Sequence, residues 1–190
     1  MRTYRAVNLN VLWFLIALNV VIFIITLARP EIIYFLGLTP ALLSQQPWTI
    51  ISSMFVHGGL FHIIFNMIAL YFLGSFLIRA AGEKSFLAVF FLGGLAGNIL
   101  FVLLTNPLST GIGASGGIFA LAGALAIMVP RVPVLIIPIP VPMPLWVAVI
   151  ILVLISFLFS GIAWEAHLGG LFLGIAAGLI FRRRRRSYYF

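Results

Sequence analysis

The chain contains no cysteine, and of its 190 residues only three are acidic. The first absence excludes disulfides and thiolate metal sites. Charge of either sign is scarce at 7%, whereas a soluble domain carries about a quarter, and 64% of the residues are apolar. Such a composition excludes an ordinary soluble enzyme and places most of the mass in a bilayer. The net charge of +8 does not point to nucleic acid, because five of the eleven basic residues form one run at 182–186, directly behind an apolar stretch. That placement suits a stop signal beside anionic lipid headgroups. The leading MRTYRAVNLN lacks a small-residue cleavage site and precedes a stretch long enough to span, so it is not read as a cleavable signal. No repeat marks an inverted-repeat transporter.

What is present is apolar run after apolar run. A crossing helix needs about 20 such residues, and six candidates fit, over about 10–28, from after Trp48 to near Ile78, and over 86–105, 113–129, 145–160 and 165–181. With both termini cytoplasmic, the inner segments hold Arg2, Arg5, Arg79, Lys84, Arg131 and the five arginines at 182–186, ten of the eleven basic residues. Only Arg29 falls outside, an asymmetry that supports both the span number and the direction. The expected fold is therefore an all-α bundle of six transmembrane helices over 1–190, with no separate soluble domain and a basic tail at 182–190. The first outer loop, RPEIIYFLGLTPALLSQQPW, is amphipathic and broken by prolines, and is expected to lie in the interface.

The unusual polar residues sit on the even-numbered spans, which all enter from outside. The second carries His57, His62 and Asn66 in HGGLFHIIFN, the fourth Ser115 in GASGG, the sixth Glu165 and His167 in EAHLGG. Depth follows from the inner arginines at about 1.5 Å per residue. Ser115 then lies about 24 Å above Arg131, His167 about 22 Å above Arg182, and His62 and Asn66 about 25 and 20 Å above Arg79. Three helices thus bring polar groups to one layer, below the outer edge of a core about 30 Å thick. Gly170, Gly174 and Gly178 continue down the face of His167, and Phe119, Ala122 and Ala126 follow Ser115. These two stripes of mostly small residues are expected to pack and set Ser115 opposite His167.

A hydroxyl beside an imidazole is the minimum for nucleophilic acyl transfer, the base taking the proton as oxygen attacks a carbonyl. The oxyanion then needs donors. His62 and Asn66 offer side-chain N–H groups, and the Ser115 backbone N–H lies free at a helix start. Gly113 and Gly116 permit a tight turn and close approach of a substrate backbone. Glu165 points elsewhere on its helix, so the reading is a Ser–His dyad without metal or cofactor. Irregular backbone such as TNPLSTGIGA is tolerated at membrane depth only within protein or beside a water-filled cavity, which a hydrolase requires.

HGGLFHIIFN, GASG and AHLGGLFLG, in this order on alternate spans, resemble the rhomboid intramembrane serine proteases. The resemblance covers nearly the whole chain. It implies Ser115 as nucleophile, His167 as general base, and His62, Asn66 and the Ser115 amide as oxyanion donors. It implies transmembrane segments of other proteins as substrates, cut near the outer face, with the fifth span and the following loop as gate and cap, and the chain itself is expected to be a multi-pass protein of the cell membrane. Two departures stand out: Phe119 occupies a position often held by tyrosine, and Trp48-Thr49 replaces a frequent Trp-Arg.

Blander readings compete. Taken alone, Ser115 reads as a packing residue, and the glycine frame with two aligned histidine spans reverses that. His57 reads as structural, at the mouth of the site, and Gly170 and Gly174 as packing. A proton-coupled transporter would need broken helices in paired halves. A metalloprotease using His57, His62 and His167 lacks His-Glu-x-x-His spacing and leaves the serine without a role. The remaining alternative is an inactive rhomboid-like binding factor for membrane segments.

Overall fold

Inside hydrocarbon every backbone polar group must be satisfied within the chain, so apolar runs of this length become helices. The computed structural model describes residues 8–136, 139–159 and 161–186. In chain order it holds α1 (Asn10–Ala28), α2 (Ile32–Leu36), a 3-10 turn at Pro40–Leu42, α3 (Thr49–Ser52), a second turn at Ser53–Phe55, α4 (Leu60–Ala81), α5 (Glu83–Leu104) and α6 (Ser115–Met128). A hairpin of β1 (Pro133–Ile136) and β2 (Ile139–Pro144) follows, then α7 (Leu145–Leu158) and α8 (Trp164–Arg186). Arg2, Arg5, Ser160 and the end of the basic tail, 187–190, lie outside the described residues.

Four of these helices are long and apolar enough to cross a membrane: α1, α4, α5 and the Trp164–Arg182 part of α8. Exposed rings and aliphatics such as Phe14, Phe61, Phe72 and Leu104 cover the outer surfaces of α1, α4 and α5. The fourth and fifth expected spans are shorter, since α6 and α7 have 14 residues each, or about 21 Å. The second expected span also begins later. Residues 49–55 form short helical turns, residues 56–59 break the chain, and the long helix starts at Leu60.

The chain is mostly helical as expected, and the exception is an antiparallel hairpin in which Pro133 pairs with Pro144 and Ile136 with Ile139. Prolines two residues apart put each missing N–H on the same edge of β2. The other edge stays competent, and the following Leu145 N–H bonds across to the Val132 carbonyl at 2.9 Å. Beyond α1, the exposed Arg29 guanidinium pairs with Glu31 and holds its carboxyl below the usual carboxylate range.

Residues 116–125 of α6 are all buried, which makes this helix the axis of the bundle. Its contact with α8 is backbone against backbone. A Cβ placed on Gly170 would collide with the Gly116 carbonyl oxygen, one on Gly174 with that of Ala120, and one on Gly178 would come within 2.6 Å of that of Ala124. The α8 glycines therefore form the packing face as expected. On α6, however, the matching row is Gly116, Ala120 and Ala124 rather than Ala122 and Ala126. Rows spaced by four are the ridges that helices interdigitate. A third close approach joins α5, where a Cβ on Gly97 would lie 2.5 Å from the Ala166 carbonyl oxygen and one on Gly169 2.6 Å from that of Ala96.

Candidate active site

The start of α6 is fixed by backbone pairing between segments far apart in sequence. Leu38 and Gly111 exchange N–H···O bonds of 2.9 and 2.8 Å, the Ala41 N–H reaches the Pro107 carbonyl at 3.0 Å, and the Thr39 and Thr110 hydroxyls meet at 2.8 Å. Gly113 donates its N–H to the Ser53 carbonyl at 2.9 Å. Asn98 of α5 braces the same region, its amide donating to the Ile50 carbonyl at 2.8 Å and Ser53 Oγ at 3.0 Å. These bonds satisfy backbone groups of an irregular stretch that has no helix or strand of its own to supply partners. Trp48 and Ser52 tie the first loop together, donating to the Phe35 and Leu36 carbonyls at 2.8 and 2.7 Å. Thr49 is buried and donates to the Gln46 carbonyl at 2.6 Å.

Ser115 is the first residue of α6, so its N–H has no partner within the helix. Its Oγ lies 2.8 Å from Nε2 of His167 on α8. The His167 ring is nearly buried and stacks on Phe119, with centroids 4.2 Å apart and planes inclined by 17°. Its other nitrogen, Nδ1, lies 2.7 Å from Ser156 Oγ on α7. Glu165 does not partner the ring. Gly116 and Gly170 together bring α6 and α8 close enough for this contact, and Gly174 extends the approach a turn further.

Gly113 has φ of +121°, a left-handed conformation that favours glycine. A Cβ there would sit 2.8 Å from His62 Nε2 and 3.7 Å from Ser115 Oγ, so both atoms border the small space above Gly113. The Gly58 N–H approaches His62 Nδ1 at 3.4 Å, and the opposite ring nitrogen, Nε2, is the one that borders that space. Asn66, mostly buried one turn further along α4, donates one amide N–H to the His62 carbonyl at 2.8 Å and keeps a second. His57 is buried with its ring edge-on to His62, centroids 5.0 Å apart. It is a wall behind His62.

A Rhomboid domain model matches residues 44–184. The chain belongs to the rhomboid family. Among curated rhomboid relatives, Rhomboid-like protease 3 of Toxoplasma gondii is 27% identical over 139 residues, which is 72% of this chain and 52% of that protein. YdcA of Bacillus subtilis (strain 168), also named for rhomboid proteases, is 32% identical over 143 residues, 74% of this chain and 71% of its own length. Inactive RHOMBOID-like protein 8 of Arabidopsis thaliana is 29% identical over 82 residues, 43% of this chain and 23% of that protein. The chain thus spans about half of the Toxoplasma relative. It is a multi-pass membrane protein of a family that includes intramembrane proteases and members named inactive.

Two residues of this rhomboid site were not legible in the motifs. Ser156 is a single hydroxyl in the apolar run LWVAVIILVLISFL, and Asn98 a single amide in α5. The available signal in each case is a polar side chain on a hydrophobic span, which is functional or structurally bonded by default.

Proposed function

We propose that this rhomboid is an intramembrane serine endopeptidase that hydrolyses peptide bonds in or near transmembrane segments of other membrane proteins. The observation that carries the reading is the 2.8 Å contact between Ser115 Oγ and His167 Nε2, beside a space bordered by His62. As Oγ attacks the substrate carbonyl carbon, its proton passes to Nε2. The carbonyl oxygen takes up the negative charge and accepts from the Ser115 N–H, the His62 Nε2–H and the second Asn66 amide N–H. Collapse of the tetrahedral species breaks the C–N bond, and His167 returns the proton to the leaving amine. Water then attacks the acyl-enzyme carbonyl with His167 as base, releasing the new carboxyl terminus and restoring Ser115.

In this reading α6 and α7 complete a six-span bundle in the cell membrane, with both termini cytoplasmic and the site toward the outer leaflet. The short α6 supports it, because a helix of about 21 Å leaves Ser115 below the far surface while the strapped loop above it faces water. No metal takes part in the chemistry.

The test is purified protein with a single-span substrate and a fluorophosphonate probe. Ser115→Ala and His167→Ala each abolish cleavage and labelling at an unchanged unfolding temperature. Cleavage that persists in purified Ser115→Ala ends the proposal. Intact binding of membrane segments by a wild-type protein that never cuts them would identify an inactive binding factor instead.

A further inference from the structure

His167 has two nitrogens and two hydroxyl neighbours, and one of those hydroxyls is already committed. Ser156 Oγ is 2.9 Å from the Leu152 carbonyl, one turn back on α7, and 2.7 Å from His167 Nδ1. A carbonyl oxygen only accepts, and a helical serine hydroxyl ordinarily donates to the carbonyl one turn back, which directs the single Ser156 proton to Leu152. With the proton so placed, Ser156 accepts from His167 and Nδ1 carries the ring proton; a hydroxyl turned to Nδ1 would give the opposite tautomer. That leaves Nε2 with its lone pair directed at Ser115 Oγ, 2.8 Å away. The donors run in one direction, from the Ser115 hydroxyl to Nε2, from Nδ1–H to Ser156, and from Ser156 to the Leu152 carbonyl.

We infer that Ser156 is a positioning residue that sets the His167 tautomer, with Nδ1 protonated and Nε2 free to act as base. The inference rests on the proposed protease reading for its consequence in turnover. Ser156 is buried, whereas few residues of α7 are: Leu145, Ala148 and Val149 at one end, Ser156 near the other. It touches neither the substrate space nor Ser115. Its effect on rate passes through the ring, which Phe119 holds in plane and Ser156 holds in rotation and protonation. The reverse tautomer would require the Ser156 proton to leave Leu152 and would present an N–H to Ser115, which is unproductive for proton removal.

The test uses Ser156→Ala and Ser156→Thr in the full chain, with wild type beside them. Ser156→Ala lowers kcat and the fluorophosphonate labelling rate about ten- to hundredfold with little change in KM, the expected size of one such hydrogen bond. Ser156→Thr, which keeps the hydroxyl, restores the rate to within about threefold. Nitrogen-15 spectra of histidine-labelled protein, which has three histidines, read the tautomer without turnover. They show Nδ1–H at His167 in wild type and Ser156→Thr, and loss of that preference in Ser156→Ala. A Ser156→Ala enzyme within twofold of wild type, equal losses in both variants, or an Nε2–H tautomer in wild type overturns the inference. A wild type that neither cleaves nor labels, yet shows Nδ1–H dependent on Ser156, overturns the protease reading and supports the positioning role.

Discussion

Alanine at Gly170 adds one methyl group where α8 crosses α6, and the molecule has nowhere to put it. The new carbon overlaps the Gly116 carbonyl oxygen and lies 2.8 Å from the carbonyl carbon and 3.3 Å from Cα. All three neighbours are backbone, so no side chain can swing aside. Restoring an ordinary C···O separation of about 3.3 Å requires α8 to retreat by about 1 Å. His167 lies one turn before Gly170, and Ser115 adjoins Gly116, so the retreat stretches their 2.8 Å contact beyond hydrogen-bonding distance. Overpacking costs about 1–3 kcal/mol, and a misplacement of about 1 Å at reacting groups costs about a hundredfold in rate. Gly178→Ala is the matched control. Its added carbon meets the Ala124 oxygen at 2.6 Å and Ala124 Cα at 3.0 Å, but about 12 Å further down the helix. Thermal unfolding in detergent is expected to fall for both variants, while fluorophosphonate labelling and cleavage fall about a hundredfold for Gly170→Ala and under about tenfold for Gly178→Ala. Labelling by Gly170→Ala at the wild-type rate, or equal losses at both positions, would refute the reasoning.

Two further outcomes follow from the donors and braces around Ser115. His62→Ala removes the ring nitrogen that borders the space above Gly113 and, on the proposed mechanism, should lower kcat about 10²- to 10³-fold with KM nearly unchanged; a purely KM effect in steady-state kinetics would remove His62 from the proposed oxyanion site. Asn98→Ala deletes two hydrogen bonds to residues 50 and 53 and should cost about 1–3 kcal/mol of stability, read as an earlier thermal transition. An unchanged transition would mean that the first loop is held without α5.

The apolar runs were informative because hydrocarbon leaves the backbone few options. α1 starts and ends at the expected residues, and α5 within three of them at each end. The glycines of α8 declared their face by spacing alone. The face of α6 did not, because small residues occur all round that helix and only the crossing geometry selects Gly116, Ala120 and Ala124 over Ala122 and Ala126. Ser115 and His167 stood out through their glycine-rich surroundings. The pairing of residues 38–41 with 107–111 left no trace in the sequence, since backbone bonds across about seventy residues impose no side-chain period. The hairpin at 133–144 was read only as proline-rich, because its strands are marked by alternation of proline rather than of polarity. Ser156 was hidden for a related reason. A lone serine in an apolar helix ordinarily bonds its own preceding turn, and nothing local reveals that the same oxygen also faces an imidazole eleven residues onward.

Water-soluble serine hydrolases commonly orient their imidazole with a buried aspartate. Inside a bilayer an ionised carboxylate at depth costs about 2.5–3.5 kcal/mol or more. In the proposed reaction an alcohol in that third place adds no charge of its own, so the only ion the trio would form is the imidazolium made while a bond is formed or broken. A protease built this way would hold no standing carboxylate in lipid to draw in water or pull neighbouring helices apart.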